Sequence, residues 1–356
     1  MKYTDIPHLR LQNQHITQPI FKTAEEVVAY FGAIQSQEYA GAVWSVAQRT
    51  TGITIDDIDT AFNEGLILRT HVLRPTWHFV SPENIRWMLQ LTGPRIQKVM
   101  NSYYKKLGLD EKELRKTESI ITSVLEGGKF LTRTELAIAL EKGGIDTKAA
   151  MRLGFIVGNA ELESLICSGP KKGKQHTYAL LEERAPKTPK ISNEEAHIKL
   201  LRLYLESHGP ATLKDFTWWA DLTLAETRKA AEYLKQEFEK VELEGNEYWY
   251  KPYQKIDVKP SPTAYLLSTY DELISYDNRD AMAGHFDMQK YNNLFQNMII
   301  IDGQIVGNWR REIKKKAITI LPHFYKPLTK KEIEAIQKDV QRFEEFWKTK
   351  TIFQAS

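Results

Sequence analysis

Residues 151–181 read MRLGFIVGNAELESLICSGPKKGKQHTYALL, and their reading decides the fold. The first half carries the apolar spacing of a helix running into a strand, GPKKGK makes a turn, and QHTYALL supplies the return strand of a hairpin. Upstream, LTRTELAIALEKGG (131–144) is a helix capped by Thr132 or Thr134, and residues 117–126 form another apolar-periodic helix. Three helices closed by a hairpin are the pattern of a winged helix.

The pattern recurs on both sides. Toward the N-terminus, Val27, Val28, Tyr30, Phe31 and Ile34 recur at helical spacing, so residues 23–49 read as two helices and IQSQEYAGAVWSVAQRT (34–50) as helical or a helix junction. A further helix follows Thr54 and stops at Gly65, and LILRTHVLRPTWHFVS (66–81) reads as two short strands around a turn. Toward the C-terminus, EEAHIKLLRLYLESHG is an amphipathic helix stopped by Gly209 and Pro210. LKDFTWWADL and LAETRKAAEYLKQE give two more helices, and EFEKVELEGNEYWYKP a hairpin turning at Gly245 and Asn246. Beyond Pro262 the texture changes to short strands, with a hairpin turn at Asp302 and Gly303, and KKEIEAIQKDVQRFEEFWK makes a final amphipathic helix. Segments 184–192 and 255–263, rich in proline and lysine, read as linkers. The expected class is α+β. Its expected domains are 1–110, a winged helix with N-terminal helices; 111–187 and 193–254, two further winged helices; and 260–356, a β-rich domain with a terminal helix.

Composition narrows the classes of function. With 356 residues, 42% hydrophobic and 27% charged, the chain has the profile of a globular protein. No run approaches the roughly 20 apolar residues of a membrane span, and MKYTDIPHLRLQNQ lacks the apolar core of a secretion signal, so the expected location is the cytoplasm and no membrane partner is expected. The single cysteine, Cys167, can form neither an intrachain disulfide nor a Cys-rich zinc site. A net charge of +3 argues only weakly for nucleic acid. Its distribution argues more: Arg310, Arg311, Lys314, Lys315 and Lys316 crowd one stretch, and Lys171, Lys172 and Lys174 the hairpin tip, where winged helices touch phosphate.

Six strings, in order along the chain, resemble those of the winged-helix family that includes the AlkZ and YcaQ DNA glycosylases: IQSQEYAGAVWSVAQR, LRTHVLRPTWHFVSPENIRWML, ESLICSGPKKGKQHTYALLEER, HGPATLKDFTWWADL, LLSTYDELISYDNR and IIIDGQIVGNWRR. The resemblance implies three winged helices in a C-shaped array with a C-terminal β-barrel, and excision of alkylated purines. In that family the catalytic motif is two glutamines, or a glutamine and an aspartate, one residue apart. Gln35, Ser36 and Gln37 match the two-glutamine form, which is linked to bulky N7-alkylated purines and interstrand crosslinks.

The chemistry such a pair can perform is modest, and for this substrate modest is enough. An N7-alkylated purine carries positive charge, so its glycosidic bond is weakened and the base leaves without a general acid. Two amides can orient a water beneath the sugar carbon. On a regular helix residues two apart diverge by about 200°, so the pair converges only at a helix terminus or kink. The structural alternative is that the glutamines cap a helix end or bridge to the adjacent wing; Glu38 is a conventional base if turned into the cleft. Thr76 and His78 should share one strand face with Trp77 on the other, toward the core. His78 either holds a phosphate or water, or is satisfied by backbone. Arg69 and Arg74 either reach phosphates or form buried ion pairs. At least one of Trp218 and Trp219 is expected in the core. Asp271 and Glu272 are expected to pair with Arg279 or Arg310, with metal binding the other option. The expected activity needs no cofactor and no metal. Its expected partner is double-stranded DNA, alkylated or crosslinked, bound by a monomer. The rival readings are a DNA-binding regulator without catalysis and a resistance protein that sequesters adducted DNA.

Overall fold

Punctuation residues set the boundaries of the first elements. In helix α1 (Ile6–Asn13), Pro7 occupies the first turn, where a missing N–H costs nothing. Thr23 and Glu26 form a reciprocal capping box that starts α2 (Ala24–Phe31), and Gly32, at φ +77°, ends it. The chain then runs extended as strand β1 (Ala33–Gln35) before α3 (Tyr39–Ala47), whose cap is the Glu38 carboxylate accepting from the Gly41 N–H at 2.5 Å. Residues 33–38 are therefore not helical. Of the two readings of this stretch, helical or a helix junction, the structure shows the junction: Gly32 breaks the helix and Glu38 restarts it. α4 (Ile55–Glu64) ends at Gly65, φ +82°. The computed structural model describes residues 1–149, 151–252, 261–283, 296–314 and 317–354.

The following elements are β2 (Leu68–His71) and β3 (Trp77–Val80), an antiparallel pair with His71 opposite Trp77, then the long α5 (Ile85–Lys106). Next come α6 (Glu111–Leu125), β4 (Leu131–Thr132), α7 (Arg133–Lys142) and α8 (Arg152–Leu162). The α7 cap is Thr132, in a capping box with Glu135, which settles the choice between Thr132 and Thr134. β5 (Ile166–Lys172) and β6 (Gln175–Leu180) form the expected hairpin, joined by β4 in the order β4-β6-β5, and α9 (Leu181–Arg184) follows. The turn is only Gly173–Lys174, since GPKK belongs to β5.

The remainder is α10 (Asn193–His208), α11 (Leu213–Ala220), α12 (Leu224–Glu232), the hairpin β7 (Glu239–Leu243) and β8 (Asn246–Tyr250), and β9 (Ala264–Leu267). A single 3-10 turn at Glu272–Ile274 precedes α13 (Asp280–Ala283), β10 (Asn297–Ile301), β11 (Gln304–Lys314), β12 (Ala317–Phe324), α14 (Lys330–Trp347) and β13 (Thr351–Phe353). The β7–β8 turn sits at Glu244 and Gly245, φ +47° and +71°, one residue before the expected Gly245–Asn246; positive φ at both central positions makes it a type I′ loop. Asp302 and Gly303, φ +49° and +80°, turn β10 into β11 as expected. The expected linker 255–263, except for its last three residues, lies outside the described residues, as do Lys315 and Lys316.

The α+β chain separates into two units by contact density, residues 1–58 with 198–356 and residues 59–197. In the first, a five-stranded sheet of order β13-β12-β11-β10-β9 provides the frame, antiparallel except for the parallel β12–β13 edge. Leu11 and Ile16 pack with Tyr265, Leu267, Met298 and Ile300, so residues from the chain's start share one core with the late sheet. α3 is fastened to the same sheet: Trp44 Nε1 donates to the Leu266 carbonyl at 2.7 Å, and the Trp44 ring meets Phe343 of α14 edge-on. The second unit centres on Ile121, Leu125, Leu136, Leu140, Ile156, Val157 and Ile166, the apolar faces of α6, α7 and α8 closed by the hairpin. Among the described residues no helix is long and apolar enough to cross a membrane.

Candidate active site and DNA-contact residues

The first glutamine of the motif is held by its backbone. Gln35 closes β1, is 8% exposed, and its N–H donates to Glu272 Oε1 at 2.8 Å. Ser36 is buried; Gln37, just before the α3 cap, is exposed. Glu38 is engaged at both oxygens, capping α3 through Oε2 and meeting the Arg311 guanidinium at 3.6 Å through Oε1. That places Glu38 as a cap and ion-pair partner rather than as a base waiting in a cleft. Arg311 also lies over the Trp347 ring, so the motif's exposed end, β11 and α14 meet at this point.

Behind Gln35 lies a buried polar network in which Asp271 has a partner the sequence did not suggest. Glu272 is fully buried; its Oε2 accepts from Trp219 Nε1 at 2.9 Å and from His208 Nε2 at 3.1 Å, and its carbonyl accepts from Gln14 Nε2. Asp271 makes a two-pronged pair with Arg49, at 2.9 and 3.1 Å, both side chains fully buried. The partner of Asp271 is thus Arg49; Arg279 donates to the Ile274 carbonyl and covers Trp218, and Arg310 is exposed on β11. The reason is tertiary. Arg49 and Asp271 are 222 positions apart, and only the packing of α3 against β9 brings them together.

Burial sets the protonation of this network. It raises the Asp271 carboxyl's pKa, but the Arg49 charge and hydrogen bonds outweigh it and the net shift is downward. Burial lowers His208 despite the pull of Glu272, so the ring is neutral near pH 7. The tautomer that fits the Glu272 carboxylate donates from Nε2; Nδ1 lies 2.8 Å from the Ser207 hydroxyl, which itself donates to the Leu203 carbonyl. Trp219 is in the core and Trp218 is 39% exposed, in keeping with the expectation that at least one packs inside.

In the second unit the expected DNA contacts fall into different classes. Arg69 is half-buried with its guanidinium over the Trp77 ring, and Arg74 is half-buried in the β2–β3 loop. His78 is fully buried with Nδ1 3.0 Å from the Thr76 carbonyl. Trp77, expected in the core, is the partly exposed one. Strand β3 is covered on both faces from His78 to Val80, so in–out alternation does not apply. Trp77 and His71 share Glu161, which is almost completely buried.

At the hairpin tip Lys171 is drawn inward, 2.5 Å from Asp59 and only 12% exposed. Lys172 reaches Glu135 at 2.6 Å but stays half-exposed, and Lys174 is exposed in the turn. The Lys172 and Thr132 contacts lower the Glu135 carboxyl to about 2. Among the described residues, no three His, Cys, Asp or Glu side chains are grouped to hold a metal ion.

Comparisons with known proteins agree along nearly the whole chain. Residues 28–346 match the family described as AlkZ-like, DNA glycosylase AlkZ-like. An interstrand DNA cross-link repair glycosylase from Streptomyces sahachiroi is 21% identical over 353 residues, covering 93% of this chain and 92% of its own. The solved structure of Streptomyces sahachiroi DNA glycosylase AlkZ superposes with a TM-score of 0.80 at 19% identity, covering 99% of both chains.

Proposed function

The chain belongs to the AlkZ-like DNA glycosylase family, and from that premise we propose that it hydrolyses the N-glycosidic bond of N7-alkylated purines in duplex DNA, including those joined as interstrand crosslinks. The relative named for interstrand cross-link repair supports the crosslink part of this reading. The observation that carries the site is the pair itself: Gln35 fixed at the end of β1 and Gln37 exposed two residues on. Gln35 ends the strand and Gln37 lies in the bend before α3, so the roughly 200° divergence of a regular helix does not apply to the pair.

In this reading the two amides orient a water on the face of the sugar opposite the departing base. The cationic purine leaves as a neutral base, so the protein supplies orientation and electrostatic stabilisation and no strong acid. Lys172, Lys174 and Arg310, all exposed, are the phosphate contacts, with Arg311, Arg69 and Arg74 as partly covered ones. Lys171 and His78 act differently: Lys171 fastens β5 to Asp59, and His78 supports the β2–β3 hairpin. We assign the helix and hairpin groups in 1–110, 111–187 and 193–254 as three winged helices and 260–356 as the β-rich domain. α6, α7 and α8 followed by β5–β6 are the clearest instance.

The test is release of 7-methylguanine from an oligonucleotide duplex under single-turnover conditions. Gln35→Ala and Gln37→Ala are each expected to slow release by at least about a hundredfold, the range for lost orientation, with duplex binding retained. Equal release by the wild type and the double variant contradicts the assignment. Binding without release by the wild type favours a DNA-binding protein without catalysis.

A further inference from the structure

We propose that Glu272 is a positioning residue for the reaction, acting on the substrate only through the backbone of Gln35. The inference rests on the reading of Gln35 as a catalytic amide and adds what holds it. The Glu272 carboxylate is fully buried and faces three N–H groups from three elements: Gln35 at the end of β1, Trp219 on α11 and His208 at the end of α10. The division of labour is clear in the geometry. Oε1 takes Gln35, while Oε2 takes the tryptophan and the histidine.

Glu272 is itself held from behind. Its carbonyl accepts from Gln14, and the neighbouring Asp271 side chain caps the 3-10 turn through the Leu273 N–H while bound to Arg49. A carboxylate is the side chain that fits, because the Gln35, Trp219 and His208 N–H groups are all donors to it. A glutamine has the same shape but only one accepting oxygen, so its NH2 would confront either the Gln35 N–H or the Trp219 and His208 donors. Placing the NH2 toward Gln35 makes one donor–donor clash instead of two, so that clash falls on β1 and pushes it away, and displacement of an orienting group by about 1 Å can cost on the order of a hundredfold in rate.

A purely structural carboxylate and a positioning one differ in how they combine with Gln35. The experiment is a double-mutant cycle on single-turnover release of 7-methylguanine from a duplex, with wild type, Glu272→Gln, Gln35→Ala and both together, alongside duplex affinity for each. If Glu272 acts through Gln35, Glu272→Gln lowers the rate roughly a hundredfold, leaves duplex affinity within about threefold of wild type, and adds nothing once Gln35 is alanine. Losses that multiply, or a Glu272→Gln protein with wild-type rate, overturn the proposal. Unchanged release by Gln35→Ala instead removes the reading beneath it, and the two failures are separate rows of the same cycle. Where Glu272→Gln does not yield folded protein, Glu272→Asp takes its place, keeping the charge but withdrawing the carboxylate by one methylene, with the same criteria.

Discussion

At the scale of single residues, buried charges define what this protein can tolerate. Arg49 and Asp271 are fully buried and pair with each other, so removing one leaves the other charged in a low-dielectric site. Asp271→Ala is expected to lower the unfolding free energy by about 3–5 kcal/mol, read from urea denaturation. Asp271→Ala thus tests the pair, and a loss below about 1 kcal/mol would contradict its being buried. A contrast of glycines gives a second residue-level test. Gly303 has φ +80°, and an added Cβ would lie 2.6 Å from Pro7 Cβ; Gly173 has φ +63° but open space around it. Gly303→Ala should cost more than the roughly 1–2 kcal/mol of left-handed strain alone, and Gly173→Ala about that strain and no more, both visible as shifts in the urea midpoint.

At the scale of elements, the hairpin β5–β6 gives the second unit a measurable pH dependence. Burial, with Arg69 and Lys171 nearby, pushes His176 on β6 down to about 4. Unfolded histidine titrates near 6.5, so between those values the unfolded chain holds more protons and stability rises with pH. The contribution is complete above about pH 6.5 and is lost as pH falls toward 4, amounting to about 2–3 kcal/mol by pH 4.5. His208 in the first unit shifts in the same direction. Replacing His176 with asparagine should flatten that part of the profile in urea titrations at pH 7 and 4.5; an unchanged slope would rule the histidine out.

Local chemistry also explains which elements the sequence reveals. The Thr132–Glu135 box, the Asp302–Gly303 turn and the stop at Gly209 each carry their own residues, and they are legible. β1 is not: three residues are too few for a period, and Ile34 continues the apolar spacing of α2. β13, also three residues long, exists only because β12 accepts it as a parallel partner. The motif Gln35–Gln37 was visible through its resemblance, whereas Glu272, His208 and Trp219 behind it were not, because pairing across 64 and 53 positions leaves no spacing signal.

At the scale of the whole molecule, a charge of +3 over 356 residues cannot by itself hold a polyanion, so affinity for DNA must come from where the cations stand. Lys174 at the hairpin tip and Arg310 on β11 are exposed, while Lys171 is committed to Asp59. Lys174→Ala and Arg310→Ala should each weaken duplex binding and reduce the slope of log K against log salt by about 1, measured by fluorescence anisotropy across salt concentrations. Lys171→Ala should leave that slope nearly unchanged and lower stability instead. Equal slopes for all three variants and the wild type would remove these residues from the interface.

The central claim is that two amides, Gln35 and Gln37, suffice to break a weakened glycosidic bond without metal or strong acid. It is tested most directly by unhooking of an N7-linked interstrand crosslink in a defined duplex, followed over time with enzyme in excess and a chelator present. The account predicts complete unhooking by the wild type and rates at least about a hundredfold lower for the Gln35→Ala, Gln37→Ala double variant. Crosslinks left intact by the wild type, or removed equally fast by both proteins, would contradict it.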